Sequence, residues 1–137
     1  MTRYVLTIPG KPFAKQRPRF SRRSGRAYTP SETVSFERQV GMIAALQIRE
    51  PIVGPVSVDV LAIFEPPKSW SKKRRAEALE SSPPAHIQKP DADNLGKAIL
   101  DGLNRIAFAD DAQVYRQVCE KRWGLVPQTT VIIQGGP

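Results

Sequence analysis

The sequence predicts an α+β fold, a two-layer αβ domain in which helices pack on one mixed β-sheet of about four strands. Short apolar segments rich in β-branched residues indicate the strands, and apolar residues at helical spacing indicate the helices. The expected element order is β-α-β-α-α-β-β. The chain has 137 residues, of which 40% are hydrophobic, so it is long enough to bury a core. Without repeats or an evident linker, it is expected to form a single domain over residues 1–137.

The N-terminal part is expected to hold one strand followed by a basic loop. Residues 4–8 are β-branched and aromatic, and a Pro-Gly pair ends this strand. Residues 11–30 place prolines among basic side chains, which predicts a loop or a ragged hairpin that turns near Ser24 and Gly25.

The first helix is expected over residues 30–50. Thr29 can cap it, Pro30 suits the first helical position, and Glu32 stands where a capping box needs an acid. Apolar residues then follow at positions i, i+4, i+7 and i+8, namely Phe36, Val40, Ile43 and Ala44.

The middle of the chain predicts a central strand and a basic helix. Residues 55–64 become apolar on both faces, which is typical of a strand with neighbours on both sides. Ser71 opens a helix over residues 72–81 whose first turn is cationic. Cations there oppose the helix macrodipole, and such local conflicts often mark functional positions. The four cations are Lys72, Lys73, Arg74 and Arg75.

The last third predicts one helix and two strands. The helix, over residues 93–104, has an apolar face of Leu95, Ile99 and Leu103 that should pack on the sheet. Leu100 falls on its polar side and would need a loop or a second subunit to cover it. Residues 113–123 and 129–134 indicate two strands, which are expected to pair as a hairpin across residues 124–128.

The charge of the chain is unevenly distributed. The net charge is +8, and the first 30 residues account for all of it, with eight Lys or Arg and no acid. This makes nucleic acid the leading class of partner. An anionic membrane is disfavoured because the basic segment has no amphipathic helical period.

Other features restrict the class of protein. No apolar run approaches the roughly 20 residues that span a bilayer, and the N-terminus is a poor signal peptide, so we expect a cytoplasmic protein. A lone Cys119 excludes an internal disulfide framework and suggests a small buried residue, and a lone His86 is no zinc site.

Five of the six aspartates lie between Asp91 and Asp111. Carboxylates packed together repel one another unless a cation or a proton relieves them. Asp93, Lys97 and Asp101 are spaced i, i+4 and i+8, so they share one helix face. Asp91 lies just ahead of that helix, and the pair that ends in Asp111 can fold back towards the helix N-terminus. The cluster therefore predicts a divalent metal site that faces a polyanionic substrate.

The ligand set contains oxygen donors only, which selects Mg²⁺, Mn²⁺ or Ca²⁺ over zinc. Structural alternatives remain open: Asp91 or Asp93 as a helix cap, an Asp101–Lys97 ion pair, and Asp110-Asp111 as a turn. An EF-hand is a poor match, because Leu95 and Gly102 occupy positions that need ligands.

The motif KPDADNLGKAILDGLN, followed by ADDAQV, resembles the RusA family of Holliday junction resolvases, which are endodeoxyribonucleases. GKPFAKQRPRF resembles the family's basic N-terminal segment, PPKSWSKKRRAEAL its basic helix, and Lys121-Arg122-Trp123 its closing strand. Arg105 departs from the pattern, since many members have Gly there.

The resemblance implies that Asp91, Asp93 and Asp111 are the essential acids, with Asp110 as an accompanying acid and Lys97 as the catalytic-site lysine. It also implies a two-layer αβ fold and a homodimer. The dimer would bind four-way DNA junctions and nick two strands symmetrically.

The resulting hypothesis is Mg²⁺-dependent phosphodiester hydrolysis in DNA recombination and repair, with Mn²⁺ as an alternative ion. Metal ligands would be Asp91, Asp93, Asp111 and Asp110, and Lys97 would act beside the scissile phosphate. The protein would be nucleoid-associated. The expected DNA contacts are Lys15, Arg17, Arg19, Arg22, Arg23, Lys72, Lys73, Arg74 and Arg75.

Two other functions fit the sequence. One is a nuclease for flaps, forks or other branched DNA. The other is a non-catalytic, basic DNA-binding module whose aspartates only cap helices and pair with cations.

Overall fold

A computed structural model describes residues 2–136 of the chain. Four long strands form one mixed sheet, and a separate two-stranded ribbon lies near the N-terminus. The strands are β1 (Thr2–Pro9), β2 (Arg19–Phe20), β3 (Ala27–Tyr28), β4 (Val56–Phe64), β5 (Val114–Trp123) and β6 (Gln128–Gly135). The helices are α1 (Ser31–Gln47), α2 (Lys72–Ala78) and α3 (Ala92–Leu103). The α+β prediction and, roughly, its element order are therefore confirmed.

The main sheet has the strand order β1-β6-β4-β5. β4 pairs in parallel with β5 and antiparallel with β6, while β1 pairs antiparallel with β6. The predicted central position of residues 55–64 is confirmed, because β4 has a neighbour on each side. The predicted hairpin of the last two strands is wrong. β4 lies between β5 and β6. Its side chains are apolar on both faces, and a central position in the sheet buries them more fully than an edge position would.

The core lies between the sheet and the two longer helices. Alternate residues of the strands, such as Leu6, Val58 and Ile133, point towards α1 and α3 and are fully buried. Leu100 is half-buried and packs against this core. A smaller cluster, with Phe64 and Trp123, lies at one end of the sheet beneath α2.

The start of α1 differs from the predicted capping box. Pro30 takes the cap position, and no side chain makes a capping hydrogen bond. Thr29 therefore does not cap the helix. Instead, the Thr33 hydroxyl donates to Gln16 Oε1 at 3.1 Å and links the first turn to the N-terminal loop. Between residues 2 and 136, no helix has the length and apolar character that crossing a bilayer requires.

Helices α1 and α3 approach closely at Gly102. A Cβ atom at this position would lie 2.7 Å from Val40 Cβ and 3.1 Å from the carbonyl oxygen of Glu37. Neither atom is the tip of a flexible side chain, so the helices would have to move apart. Glycine at this position sets the spacing of the two helices that cover the sheet.

We predict that Gly102→Ala destabilises the protein by about 1–3 kcal/mol through overpacking, although alanine is the better helix former. Gly41→Ala is the matched control, since its Cβ would meet the flexible Cδ1 tip of Ile106, at 2.8 Å, and would touch the Gly102 carbonyl oxygen at an ordinary contact distance of 3.4 Å. Urea unfolding of both variants measures the difference. Equal stability of the two variants would contradict close helix packing at Gly102.

Candidate active site

The acidic face of α3 and the edge strand β5 enclose a cleft. The opposite, apolar face of α3 is buried against the sheet, which leaves the polar face at the cleft. The cleft has a volume of about 480 Å³ and is lined by Ala92, Asp93, Lys97, Leu100, Asp101, Asp111, Gln117 and Cys119. Three carboxylates and one lysine therefore share a single concave surface. A larger depression of about 720 Å³ lies beyond the end of α1, but Glu50 is the one acid among its described lining residues.

Gly96 allows α3 to lie close to β5. A Cβ atom here would collide with the side-chain amide of Gln117 and touch Cys119. Burial raises the pKa of the Cys119 thiol, and this side chain is half-buried in the cleft wall. The glycine thus brings the helix backbone, and the acids on it, down onto the strand.

Asp91 and Asp93 lie at the N-terminus of α3. Asp91 is in the cap position, yet its side chain makes no capping hydrogen bond, and Asp93 Oδ1 accepts only from the next backbone N–H, at 3.0 Å. Lys121 Nζ donates to the carbonyl oxygens of Gln88, at 2.6 Å, and Pro90, at 3.0 Å. These two bonds hold the chain immediately before Asp91. Asp91 itself does not line the cleft.

The Asp110-Asp111 turn is held by Gln113. Its Oε1 accepts from the N–H groups of Ala109, at 2.9 Å, and Asp110, at 3.1 Å. Its Nε2 donates to the carbonyl oxygens of Ile52 and Gly54, both at 2.9 Å. One amide side chain therefore satisfies four backbone groups and ties the acidic turn to the loop before β4.

The two neighbouring carboxyls of this turn share a hydrogen bond and have opposite pKa shifts. The pKa of Asp110 is lowered, first by the Ala112 N–H that it accepts at 2.9 Å and then by Asp111. The pKa of Asp111 is raised, first by its hydrogen bond with Asp110, and further by burial and by the charge of Asp101. Asp111 is thus the member of the pair that retains a proton longer.

Asp101 pairs with Lys15 and not with Lys97. Lys15 Nζ lies 2.9 Å from Asp101 Oδ2 and 2.6 Å from Glu37 Oε1. Partial burial disfavours the charged amine, but the two carboxylates outweigh it, so the pKa of Lys15 is raised. The backbone N–H of Lys15 also donates to the backbone carbonyl of Asn94, at 2.9 Å. The N-terminal segment is therefore fastened to α3 beside the cleft, and Lys15 has its charge compensated within the protein.

The other cations expected at DNA lie on two surfaces. Four of them belong to the β2–β3 ribbon or to the segment that leads into it, and all four are exposed: Arg17, Arg19, Arg22 and Arg23. In α2, Lys72 and Lys73 are exposed. Arg74 lies over the Trp70 ring, 3.6 Å from its centroid, and Arg75 is half-buried, 4.0 Å from Glu65.

The carboxylates fit a divalent ion by their chemistry but are spread along the cleft. Asp93 and Asp101 are eight residues apart on α3, about 12 Å along its axis, so one ion cannot bind both. Within residues 2–136, no three His, Cys, Asp or Glu side chains are grouped closely enough to hold a metal ion. The donors are all hard oxygens, which suit Mg²⁺ or Mn²⁺.

Some residues at the site were not expected from the sequence. Asp101 was not among the expected metal ligands, yet it lines the cleft; its i+8 spacing from Asp93 on one helix face was the available signal. Lys121 bonds to carbonyl groups 31 and 33 residues away in sequence, so no local pattern could have indicated it. Gln113 stands three residues after Asp110, which is the spacing of a capping box and was a local signal for its bonds to Ala109 and Asp110. Its bonds to Ile52 and Gly54 had no such signal. His86 is buried against Phe64 and Trp123, with ring centroids 4.5 and 4.0 Å away.

Comparison with known proteins identifies the family. The sequence profile described as "Endodeoxyribonuclease RusA" matches residues 9–134, nearly the whole chain. The chain belongs to the RusA family. It is also 35% identical over 133 residues to the "Uncharacterized protein YqaN" of Bacillus subtilis (strain 168), a match that covers 94% of each chain. Membership of this family indicates an endodeoxyribonuclease, a hydrolase of phosphodiester bonds.

We predict that Asp110→Asn lowers the pKa of Asp111 towards its ordinary value. The substitution removes the carboxylate that accepts a hydrogen bond from protonated Asp111, and with it a negative charge that also favours this protonated form. The amide oxygen can still accept from Ala112. Carboxyl-carbon NMR titration of the metal-free protein measures the shift. Asp59→Asn, outside the cluster, serves as the control and should leave Asp111 unchanged; an identical Asp111 titration in both variants would refute the coupling.

Proposed function

We propose that this RusA family protein is a divalent-metal-dependent endonuclease that resolves four-way DNA junctions in recombination and repair. One observation carries the proposal: the cleft that brings Asp93, Lys97 and Asp111 together in an otherwise basic chain. Neighbouring carboxylates repel one another, and a bound cation would relieve that repulsion. The family supplies the reaction class, and the cleft supplies groups suited to it.

Asp91, Asp93 and Asp111 would hold the ion, with Asp110 assisting. The unused capping capacity of Asp91 and the place of Asp93 in the cleft support this assignment. A bound Mg²⁺ or Mn²⁺ would supply an activated water and positive charge at the reacting phosphate. The chain itself would then orient the acids, chiefly through the Gln113 and backbone hydrogen bonds that fix the Asp110-Asp111 turn.

Lys97 would be a fixed cation beside the scissile phosphate. It is exposed, lines the cleft, and lies close enough to Asp111 to lower the pKa of that carboxyl, although the raising influences are larger. A cation in this place can stabilise negative charge as it develops on the phosphoryl oxygens. This mechanism requires no histidine as a base, and the single His86 is not among the residues that line the cleft.

The exposed arginines of the ribbon would bind the DNA backbone, together with the cations of α2. Lys15 was also expected there, but its pairing with Glu37 and Asp101 favours a role in fastening the N-terminal segment. We further propose that the whole chain acts as one domain, in the cytoplasm and at the nucleoid. Two copies in a homodimer would present two clefts, as paired symmetric nicks require.

We predict that Asp91→Asn or Asp93→Asn lowers the nicking rate on the order of 100-fold or more, because a ligand of the ion is lost. Junction binding should persist or tighten, since a charge that repels phosphate is removed. The measurement uses synthetic four-way junctions, flaps, forks and linear duplex, with and without Mg²⁺.

Asp59→Asn is the matched control for these variants. Asp59 is the aspartate outside the cluster, and it pairs with Arg116 at 2.7 Å. The Asp59→Asn variant should nick junctions at the rate of the unsubstituted protein. Near-normal nicking by Asp91→Asn or Asp93→Asn would refute the assignment of the acids. Cleavage of flaps in preference to junctions would move the substrate to other branched DNA, and binding without any nicking would favour the non-catalytic module.

Binding should also weaken steeply with salt. Each phosphate neutralised contributes about −0.9 to the slope of log K against log salt, so five contacts give about −4.5. Arg22→Gln should make the slope shallower by about 0.9. Arg49→Gln is the control, because Arg49 follows the far end of α1, about 25 Å from the ribbon side of that helix. A slope near zero would argue against DNA as the substrate.

A further inference from the structure

The β2–β3 ribbon exposes two aromatic side chains. Phe20 is 67% exposed and Tyr28 is 48% exposed, and neither belongs to a core cluster. The strands pair Arg19 with Tyr28 and Phe20 with Ala27. Residues opposite each other in an antiparallel pair share a face, so the ribbon carries one aromatic ring on each side.

The shape of the ribbon is set by its own hydrogen bonds and by its base. At the tip, Ser21 N–H donates to the Arg26 carbonyl and Gly25 N–H to the Ser21 carbonyl, both at 2.9 Å. Gly25 has φ of +69°, which glycine adopts without strain. At the base, Gln16 and Thr33 are hydrogen-bonded across the two ends of the segment. The ribbon is thus a preformed projection.

The packing of the protein does not account for this projection. A two-stranded hairpin is marginally stable by itself, and exposed aromatic rings contribute nothing to the core. The ribbon and its approach carry five arginines, and no acid occurs before Glu32. Guanidinium groups bind phosphates in a bidentate manner, and aromatic rings stack on bases. A nucleic acid with unstacked bases meets both requirements at once.

Building on the proposed function, we infer that Phe20 and Tyr28 stack on bases at the branch point of the DNA. An aromatic ring on each face suits a ribbon that enters between two base stacks, where each ring covers one exposed base pair. Linear duplex offers no such opening without the cost of unstacking. The two rings therefore give the protein its preference for branched over linear DNA.

The base of the ribbon lies at the catalytic cleft. Lys15 Nζ is 2.9 Å from Asp101, which lines the cleft. Phe20 follows five residues later, within about 17 Å at full extension. Stacking at the branch point would thus hold the neighbouring phosphates within reach of the acids.

Binding to synthetic DNA labelled with 2-aminopurine at the branch point tests the inference. In EDTA, where cleavage is prevented, Phe20→Ala and Tyr28→Ala should each raise the Kd for the junction roughly 10-fold. The Kd for linear duplex of the same sequence should change less than about 2-fold, since phosphate contacts are kept. The fluorescence change of the branch-point base on binding should shrink, and Phe20→Trp should restore both properties.

Leu125→Ala is the matched control, since Leu125 is 76% exposed in the loop between β5 and β6. It should bind both DNAs as the unsubstituted protein does. Unchanged junction binding and fluorescence in both alanine variants would overturn the inference, as would an equal loss of affinity for junction and duplex. The proposed function fails separately, if the unsubstituted protein does not nick junctions in Mg²⁺, whatever the ribbon variants bind.

Discussion

The parallel pairing of β4 with β5 is the constraint on which the site depends. Parallel neighbours need a long crossover, because the chain must return to the same end of the sheet before the second strand begins. Here the crossover spans residues 65–113 and contains α2, α3 and the whole aspartate cluster. Packing the apolar face of α3 on the sheet therefore sets the opposite, acidic face beside β5. The fold and the cleft follow from the same connection.

Charge compensation is the second principle of the site. Lys15 lies against Asp101, and Lys97 stands among the acids of the cleft. The backbone N–H of Ala112 donates to Asp110 and stabilises the negative charge of that carboxylate. The acids are thus held apart along the cleft and partly neutralised by the protein. Because Lys15 belongs to the segment that leads into the basic ribbon, the proposed DNA-binding surface and the acidic cleft are mechanically joined.

At two places, contacts between residues distant in sequence outweigh the preference of the local sequence. A short connection after Trp123 favours a hairpin, but β4 is more apolar than either partner and takes the central place between β5 and β6. Thr29 has the chemistry of a helix cap, yet Gln16 bonds to the first turn through Thr33 and Pro30 takes the cap position. In both places the winning interaction joins residues that are far apart in sequence.

The sequence by itself determined the α+β class, the central strand, the acidic motif and the family, because periodicity and motif spacing are local properties of the chain. The fold was needed to place Lys15 against Asp101 and to bring Gln113 and Lys121 to distant backbone carbonyl groups, those of residues 52, 54, 88 and 90. Those contacts depend on strand order and helix packing. The aspartate cluster can therefore be recognised from the sequence, while the arrangement of its charges depends on the fold.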